Sequence, residues 1–291
     1  MTTTTREAAL ERASVLIEAL PYIQRFRGRI VVVKYGGNAM VDPALAASFA
    51  EDVVLMRSVG LRPVVVHGGG PQISDLMTRL GKESEFRDGQ RVTDAETVDI
   101  ARMVLVGKVS REIVSAINVH GPLAVGVSGE DAGLIVAGAR DPELGFVGDV
   151  HAVNPAILER LLAEHLIPVV STIGADAAGQ AYNINADAVA GAVAEALGAE
   201  KVIYLTDIEG LLADLDDPTS LISRIDAPAL QALVDDGTLS GGMIPKIAAC
   251  LHAVANGVGS AHLLDGRLPH VVLLELFSDA GVGTMITGAE A

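Results

Sequence analysis

Two apolar runs near the amino terminus each lead into a cluster of glycines and then into a helical pattern. The first unit is 30–59, which contains Lys34-Tyr35-Gly36-Gly37-Asn38. The second is 64–80, which contains His67-Gly68-Gly69-Gly70, followed by Pro71 in the first turn of a helix, where proline is accepted. A strand–loop–helix unit that repeats in this way predicts an α/β fold, with a mostly parallel sheet and helices on both faces.

The rest of the chain continues this alternation. Apolar runs predict strands at 30–33, 64–66, 123–127, 167–171, 201–206, 262–264 and 271–274. Helical spacing of apolar residues predicts helices at 6–27, 43–59, 72–80, 95–118, 154–164, 186–197, 227–235 and 245–256. Pro21 is expected to kink or break the first helix, which packs either on its own domain or on another subunit. Residues 129–150 are predicted to form a hairpin-rich excursion.

Composition limits the partners and the compartment. The net charge is −16 without a basic tail, which argues against nucleic acid and anionic membranes as partners. The single cysteine, Cys250, excludes an internal disulfide and a cysteine-rich metal site, as expected for a reducing cytosol. We find neither an apolar run long enough to span a bilayer nor a secretory signal, and predict a cytoplasmic protein.

The glycine clusters point to a negatively charged ligand. Lys34 lies at the predicted carboxyl end of the first strand, where open α/β sheets bind ligands, and Gly36 and Gly37 let backbone N–H groups approach a phosphate. Three consecutive glycines at 68–70 weaken the folded state, but they suit an anion that lies against bare backbone at a helix N-terminus. We therefore favour a functional role for this segment.

Several familiar enzyme classes do not fit. An HGGG segment also forms the oxyanion hole of some esterases, but that fold needs a G-x-S-x-G elbow, and Gly126-Val127-Ser128-Gly129-Glu130 lacks the last glycine. The chain has no P-loop motif and no G-x-G-x-x-G after a strand. If the protein transfers phosphate, it does so on a different scaffold.

Two later segments are informative only in combination with the first two. In Tyr182-Asn183-Ile184-Asn185-Ala186-Asp187, Asn183 either caps a helix or holds a ligand, and Asp187 by itself suggests no more than a favourable charge in the first helical turn. Ser240-Gly241-Gly242-Met243-Ile244-Pro245-Lys246 places a glycine pair ahead of a second lysine.

Taken in order, these segments resemble the amino-acid kinase family, and within it the kinases that act on N-acetyl-L-glutamate. The resemblance runs from about residue 8 to Ile286. It rests on the segments above together with Arg91-Val92-Thr93 and Thr206-Asp207-Ile208-Glu209-Gly210-Leu211.

The resemblance implies a three-layer αβα sandwich preceded by an N-terminal helix. It implies an oligomerisation element at 1–28, a lobe for the acyl substrate at 29–182 and a nucleotide-binding lobe at 183–291, the two lobes sharing one continuous sheet. The residues implied to bind the substrate are Gly69, Gly70, Arg91 and Asn183. The residues implied to bind the nucleotide are Gly36, Gly37, Thr206, Asp207, Gly210 and Leu211.

The implied reaction is transfer of the γ-phosphoryl group of ATP to the side-chain carboxylate of N-acetyl-L-glutamate, a step of arginine biosynthesis. Lys34 and Lys246 match the lysines that flank the transferring group, with Asp187 as their shared counter-ion. A carboxylate with a pKa of about 4.3 is already ionised at neutral pH and needs no general base. What must be overcome is repulsion between two anions, for which lysines, backbone N–H groups and Mg²⁺ are suited. We expect Mg²⁺ to be held mainly by the ATP phosphates, without protein ligands.

The carboxyl-terminal region resembles the arginine-binding segment of feedback-inhibited family members. The implied effector residues are Lys201, His262, Glu275 and Gly281, of which Glu275 can pair with a guanidinium and Gly281 leaves room for it. Those members also have an N-terminal helix through which dimers interlace into a hexamer, a trimer of dimers. Inhibition by L-arginine and a hexamer are therefore expected.

Two alternatives remain open at this stage. A sister kinase could act on acetylaminoadipate, aspartate or carbamate, because one methylene in a pocket is worth only about 1–3 kcal/mol. A catalytically silent arginine sensor could retain the fold, although it would have little need of both Lys34 and Lys246.

Overall fold

A single eight-stranded sheet runs through the centre of the molecule. The computed structural model describes residues 6–87, 89–214, 217, 219–239, 243–278 and 281–289. In spatial order the strands are β12 (Arg224–Asp226), β14 (Thr284–Thr287), β13 (Ser260–Asp265), β11 (Lys201–Thr206), β1 (Ile30–Tyr35), β2 (Arg62–His67), β8 (Ile167–Ser171) and β5 (Ala124–Ser128). The six strands from β13 to β5 are parallel, whereas β14 runs antiparallel to β13 and pairs in parallel with β12.

Helices cover both faces of this sheet. The described α-helices are α1 (Arg6–Phe26), α2 (Pro43–Ser58), α3 (Gly70–Arg79), α4 (Ala95–Arg102), α5 (Ser110–Asn118), α6 (Ala156–Ala163), α7 (Ala186–Ala196), α8 (Ala227–Asp235), α9 (Ile244–Ala255) and α10 (Val271–Phe277). A π-helical segment, Met103–Val109, joins α4 to α5 without a break. Aspartates 42, 94 and 226 cap α2, α4 and α8 by accepting backbone N–H groups, as expected for this residue at an N-cap.

Successive side chains of each central strand point to opposite faces of the sheet, and this divides the hydrophobic core into two layers. On β1, Val31 and Val33 pack with α2, α5 and α10 on one face, whereas Val32 packs with α7 and α9 on the other. Because neighbouring side chains of a strand point to opposite faces, a continuous apolar run such as 30–33 can fill both layers. The predicted three-layer αβα architecture is confirmed.

A small closed barrel and a hairpin lie beyond the main sheet. The barrel consists of β6 (Ile135–Ala139), β7 (Val147–Val153), β9 (Ile173–Ala175) and β10 (Ala181–Ile184). The hairpin consists of β3 (Phe86–Arg87) and β4 (Gln90–Arg91). The excursion predicted at 129–150 is confirmed as the antiparallel β6–β7 pair, but the sequence did not predict β9, β10 or the closure of the barrel.

In the carboxyl-terminal region one prediction is wrong, and in the amino-terminal region the helix has no break at Pro21. Residues 271–274 were expected to complete the sheet, yet they begin α10, and the sheet is completed by β14 and β12 instead. A short apolar run fits a buried strand and a buried helix equally well, so only the tertiary packing separates the two. The first helix does not end at Pro21 but continues through it to Phe26. Among the described helices, none is both long and apolar enough to cross a membrane.

Candidate active site

A cleft of about 960 Å³ opens at the carboxyl ends of β1 and β2. Parallel sheets bind ligands at this edge because the loops that follow the strands converge there. The cleft is lined by nine of the residues predicted from sequence: Lys34, Gly36, Gly37, Gly69, Gly70, Arg91, Asn183, Asp187 and Lys246. Segments far apart in the chain therefore meet at one site.

Two lysines share one buried carboxylate inside this cleft. Lys34 Nζ lies 3.0 Å from Asp187 Oδ1, and Lys246 Nζ donates to Asp187 Oδ2 at 2.9 Å. Burial alone raises the pKa of the Asp187 carboxyl, but the charges and hydrogen bonds of the two ammonium groups outweigh it and hold the pKa below its usual value. The carboxylate is thus ionised at neutral pH and keeps both ammonium groups at the floor of the cleft.

The geometry of α7 explains why Asp187 is in this position. Asn185 caps the helix, and its Oδ1 accepts the backbone N–H groups of Asp187 and Ala188. Asn183 does not cap the helix, as one sequence interpretation allowed, because it lies in β10 and lines the cleft. Asn185 could have been found from sequence, since asparagine directly before a helical pattern is a preferred N-cap.

The first glycine loop brings backbone close to charged side chains. A Cβ at Gly36 would lie 2.9 Å from Lys34 Nζ, so the ammonium group rests over bare backbone. Gly37 has a φ of +70°, and a Cβ there would lie 2.8 Å from Asp207 Oδ1. A side chain at Gly36 would displace the Lys34 ammonium group, and Gly37 also needs glycine for its left-handed conformation.

The second glycine loop has one crowded and one open side. A Cβ at Gly69 would lie 2.7 Å from Leu105 Cδ2, whereas a Cβ at Gly70 would meet nothing within 4 Å. Gly70 begins α3, so its N–H belongs to the first helical turn and has no acceptor within that helix. This is the arrangement expected for a backbone anion site.

Arg91 is buried at the side of the cleft, and its guanidinium is held firmly. Its terminal nitrogens donate to Ser84 Oγ, Ser74 Oγ at 2.8 Å, Gly70 O at 3.0 Å and Met77 Sδ at 3.4 Å. The guanidinium also stacks over the ring of Phe86 on the β3–β4 hairpin, 4.7 Å from the ring centroid. The sequence did not predict Ser74 or Ser84, because serines at these positions have no distinctive pattern.

The predicted nucleotide segment 206–211 lies beside this cleft rather than in its lining. The carboxylate of Asp207 adjoins Gly37 and so connects the segment to the first glycine loop. Thr206 Oγ1 donates within the fold, to backbone oxygens of Ile208 and Leu264. Gly210 has a φ of +149°, and the side chain of Leu211 is buried in the core.

The four predicted effector residues also come together, at the opposite edge of the sheet. Lys201, Glu275 and Gly281 line a pocket of about 1140 Å³ with Tyr22 and other residues at the end of α1. His262 lies beneath it, fully buried: Lys201 Nζ donates to His262 Nε2 at 2.9 Å, and His262 Nδ1 donates to Glu275 Oε1 at 2.8 Å. Burial lowers the pKa of His262, as this neutral tautomer requires, and lowers the pKa of Lys201 to about 8.

Residues 29–265 match the family model described as "Amino acid kinase family". The chain belongs to the amino acid kinase family. The matched range includes every residue of the two-lysine cleft, from Lys34 to Lys246. The family resemblance inferred from the motifs is confirmed.

Known proteins of this family agree with the chain over most of its length. Acetylglutamate kinase of Saccharopolyspora erythraea is 57% identical over 288 residues, which are 97% of this chain and 94% of that protein. Carbamate kinase of Giardia lamblia bound to AMP-PNP shares the fold, with a TM-score of 0.67 and 17% identity over 90% of this chain and 99% of that chain.

N-acetylglutamate synthase of Neisseria gonorrhoeae has also been solved in two complexes. With coenzyme A and N-acetyl-glutamate it gives a TM-score of 0.83 at 25% identity, over 96% of this chain and 64% of that chain. The complex with coenzyme A and L-arginine gives a TM-score of 0.81 at 25% identity, over 94% of this chain and 65% of that chain. The chain spans a little less than two thirds of that larger protein.

Some predicted features lie outside the described residues. The glycine pair Gly241–Gly242, which the sequence places ahead of Lys246, is among them, so its position relative to the cleft is not assigned. Across the described ranges, no three His, Cys, Asp or Glu side chains form a group that could hold a metal ion.

Proposed function

We propose that this chain is an acetylglutamate kinase, which transfers the γ-phosphoryl group of ATP to the side-chain carboxylate of N-acetyl-L-glutamate. The observation that supports this most strongly is the pair of ammonium groups on the buried Asp187, in a cleft lined by two glycine loops. The 57% identity with a named acetylglutamate kinase supports the same substrate.

The proposed chemistry needs charge stabilisation rather than a base. The attacking carboxylate is ionised at neutral pH, since its pKa is about 4.3. Lys34 and Lys246 would approach the transferring phosphoryl group from two sides, and Asp187 would hold both in place without neutralising either one completely. Preorganised donors of this kind act where charge develops during transfer, and each is worth about 10²–10³ in rate.

We assign ATP to the side of the cleft that adjoins the first glycine loop. Gly36 and Gly37 would place backbone N–H groups against phosphate, and the segment with Thr206, Asp207, Gly210 and Leu211 would follow the nucleotide by its backbone and by Asp207. Mg²⁺ bound with the nucleotide would reduce the negative charge of the phosphates. Because Asp187 is occupied by two lysines, we propose that Mg²⁺ enters with the ATP phosphates.

We assign the acyl substrate to the side next to the barrel. Arg91 would bind a substrate carboxylate, for which a planar guanidinium is better suited than an ammonium group. Gly69, Gly70 and Asn183 would complete this subsite, and Val147 and Leu105 would face the acyl chain. Selectivity against a substrate with one more methylene would rest on this apolar lining, which gives only about 1–3 kcal/mol.

The test is formation of an acyl phosphate, trapped as the hydroxamate, with ATP, Mg²⁺ and N-acetylglutamate. Turnover that falls at least about 100-fold in Lys246→Ala, with KM values changed far less, supports the proposal. Turnover with aspartate or carbamate instead moves the chain to a sister kinase, and no turnover with any acceptor favours the sensor. A Lys246→Ala enzyme with near-normal kcat contradicts the assigned role.

The pocket at the end of α1 supports a second part of the proposal, feedback inhibition by L-arginine. The Glu275 carboxylate, whose pKa is lowered by its contacts with His262 and Lys201 despite burial, can accept a guanidinium. The related synthase solved with L-arginine supports the same effector. Glu275→Gln should raise the half-inhibiting arginine concentration at least about tenfold, because it removes the negative charge. Equal wild-type activity at zero and millimolar arginine would contradict this.

We further propose a hexamer, a trimer of dimers joined through the N-terminal element at 1–28, in the cytoplasm. Apolar side chains of α1 are exposed, Leu16 by 70% and Ile17 by 67%, which suits a helix that docks on another subunit. The division into two lobes also remains a proposal: 29–182 would bind the acyl substrate and 183–291 the nucleotide. Both ranges contribute strands to the one sheet. Light scattering of the intact chain distinguishes a hexamer from a dimer.

A further inference from the structure

The second glycine loop is held by its carbonyl groups. Its three carbonyl oxygens have three different donors: His67 Nδ1 for Gly68 O at 2.9 Å, Ile73 N–H for Gly69 O at 2.9 Å and Arg91 Nη2 for Gly70 O at 3.0 Å. Only one of these donors, the imidazole of His67, is a side chain that the proposed mechanism does not use.

The held carbonyls determine where the N–H groups of the loop point. In a trans peptide the C=O of one residue and the N–H of the next point in opposite directions. The bond from His67 to Gly68 O therefore sets the direction of the Gly69 N–H, and the Ile73 bond sets that of the Gly70 N–H. Within the described part of the chain, no acceptor contacts the N–H of Gly69 or of Gly70.

The ring of His67 has the chemistry of a fixed donor. A carbonyl oxygen only accepts, so Nδ1 carries the proton in the contact with Gly68 O. Burial lowers the pKa of His67 to about 4, so the ring is neutral wherever such an enzyme works. The side chain is fully buried, His67 is in register with Tyr35 and Ser171 on the neighbouring strands, and Nε2 has no partner among the described residues.

A glycine-rich loop needs such a support because its peptide planes rotate easily. Glycine adopts left- and right-handed conformations with similar ease, so the peptide between Gly68 and Gly69 has little intrinsic preference for one direction. On the sheet side, within the described ranges, the Gly68 N–H donates only to Tyr35 O, at 3.2 Å. The His67 contact is therefore the one that fixes this peptide on its carbonyl side.

We propose that His67 is a positioning residue: its Nδ1–H fixes the Gly68–Gly69 peptide and thereby directs the Gly69 N–H at the anion in the cleft. The inference rests on the proposed phosphoryl transfer for its kinetic assay but not for its structural test. A residue that only packs in the core depends on the volume of its side chain. The role proposed for His67 depends instead on which ring nitrogen donates the hydrogen bond.

The test compares His67→Asn with His67→Gln in the intact chain. The amide nitrogen of asparagine can occupy the place of Nδ1, whereas that of glutamine reaches the place of Nε2. We expect His67→Asn to retain kcat/KM for N-acetylglutamate within about threefold, and His67→Gln to lose about 10- to 100-fold in kcat/KM, because the Gly69 N–H belongs to the acyl-substrate subsite. His120→Asn, at an exposed position, is the matched control. If His67→Gln does not fold, His67→Ala replaces it, because it removes the donor and leaves space rather than strain.

Each outcome decides the proposal. Equal losses in the Asn and Gln variants, or a Gln variant faster than the Asn variant, overturn it and leave a packing role. A crystal structure of the Gln or Ala variant gives a readout independent of turnover: a rotated Gly68–Gly69 peptide supports the proposal, and an unmoved Gly68 carbonyl overturns it. A wild-type chain without kinase activity would contradict the proposed function alone, and the structural readout would still decide the role of His67.

Discussion

Replacing Asp187 by asparagine removes the charge that holds Lys34 and Lys246 together. Both ammonium groups lie within 3.0 Å of the carboxylate oxygens, so they are at most about 8 Å apart and repel each other by about 2 kcal/mol at an effective dielectric constant of about 20. Without the carboxylate this repulsion is uncompensated in the free enzyme, and the lysines separate. At about 1.4 kcal/mol for each factor of ten, kcat should fall about 30-fold.

The measurement is initial-rate kinetics of hydroxamate formation, with thermal unfolding to show that the variant is folded. Asp149→Asn is the matched control, because Asp149 pairs with Arg140 at 3.6 Å on the exposed surface. In a Lys246→Met background the further loss from Asp187→Asn should be much smaller, since residues that act together are not additive. A folded Asp187→Asn enzyme with normal kcat, or full additivity with Lys246→Met, would refute the shared counter-ion.

Three further predictions concern other parts of the fold. Arg91→Lys should raise the KM for N-acetylglutamate about 10- to 100-fold with a smaller change in kcat, as initial rates will show, because lysine cannot reproduce the guanidinium fork. Gly69→Ala should lower the unfolding free energy by about 1–3 kcal/mol in urea titration, because its Cβ would lie 2.7 Å from Leu105 Cδ2, whereas Gly70→Ala should change it much less. Burial raises the pKa of Asp52 to about 6, so the folded state binds more protons than the unfolded chain between about pH 4 and pH 6. Relative to Asp52→Asn, the unfolding free energy of the wild type should therefore fall by about 3 kcal/mol as the pH rises through that window, and unfolding at several pH values measures it.

Local sequence pattern predicted most of the helices and strands, but not all of them. The runs that became β11 (Lys201–Thr206) and α8 (Ala227–Asp235) were predicted at their observed bounds. The run 271–274 was not, because four apolar residues contain too little periodicity to distinguish helix from strand. The three-residue strand β9 (Ile173–Ala175) exists only through its partners in the barrel.

The residues of the candidate site also divide into those that the local sequence pattern predicts and those that it does not. The glycines at 68–70 could be selected from sequence, because three consecutive glycines have few structural explanations, whereas Lys34 with Gly36 and Gly37 became informative only in combination with the other motifs. Asp187 could not be selected from its local pattern, since an aspartate in a first helical turn is common, and it was predicted only through the family resemblance. Its two contacts with lysines became visible only in the folded chain.

The sequence by itself determined most of the elements, the glycine loops and, through the order of the motifs, the family. These depend on the chemistry of neighbouring residues, which a linear pattern contains. Only the tertiary structure decided that β1 lies between β2 and β11, that both lysines contact the buried Asp187 carboxylate within 3.0 Å, and that His67 donates to its own loop. These depend on strand order and on core packing, in which residues distant in the chain become neighbours once the apolar faces of the sheet are covered.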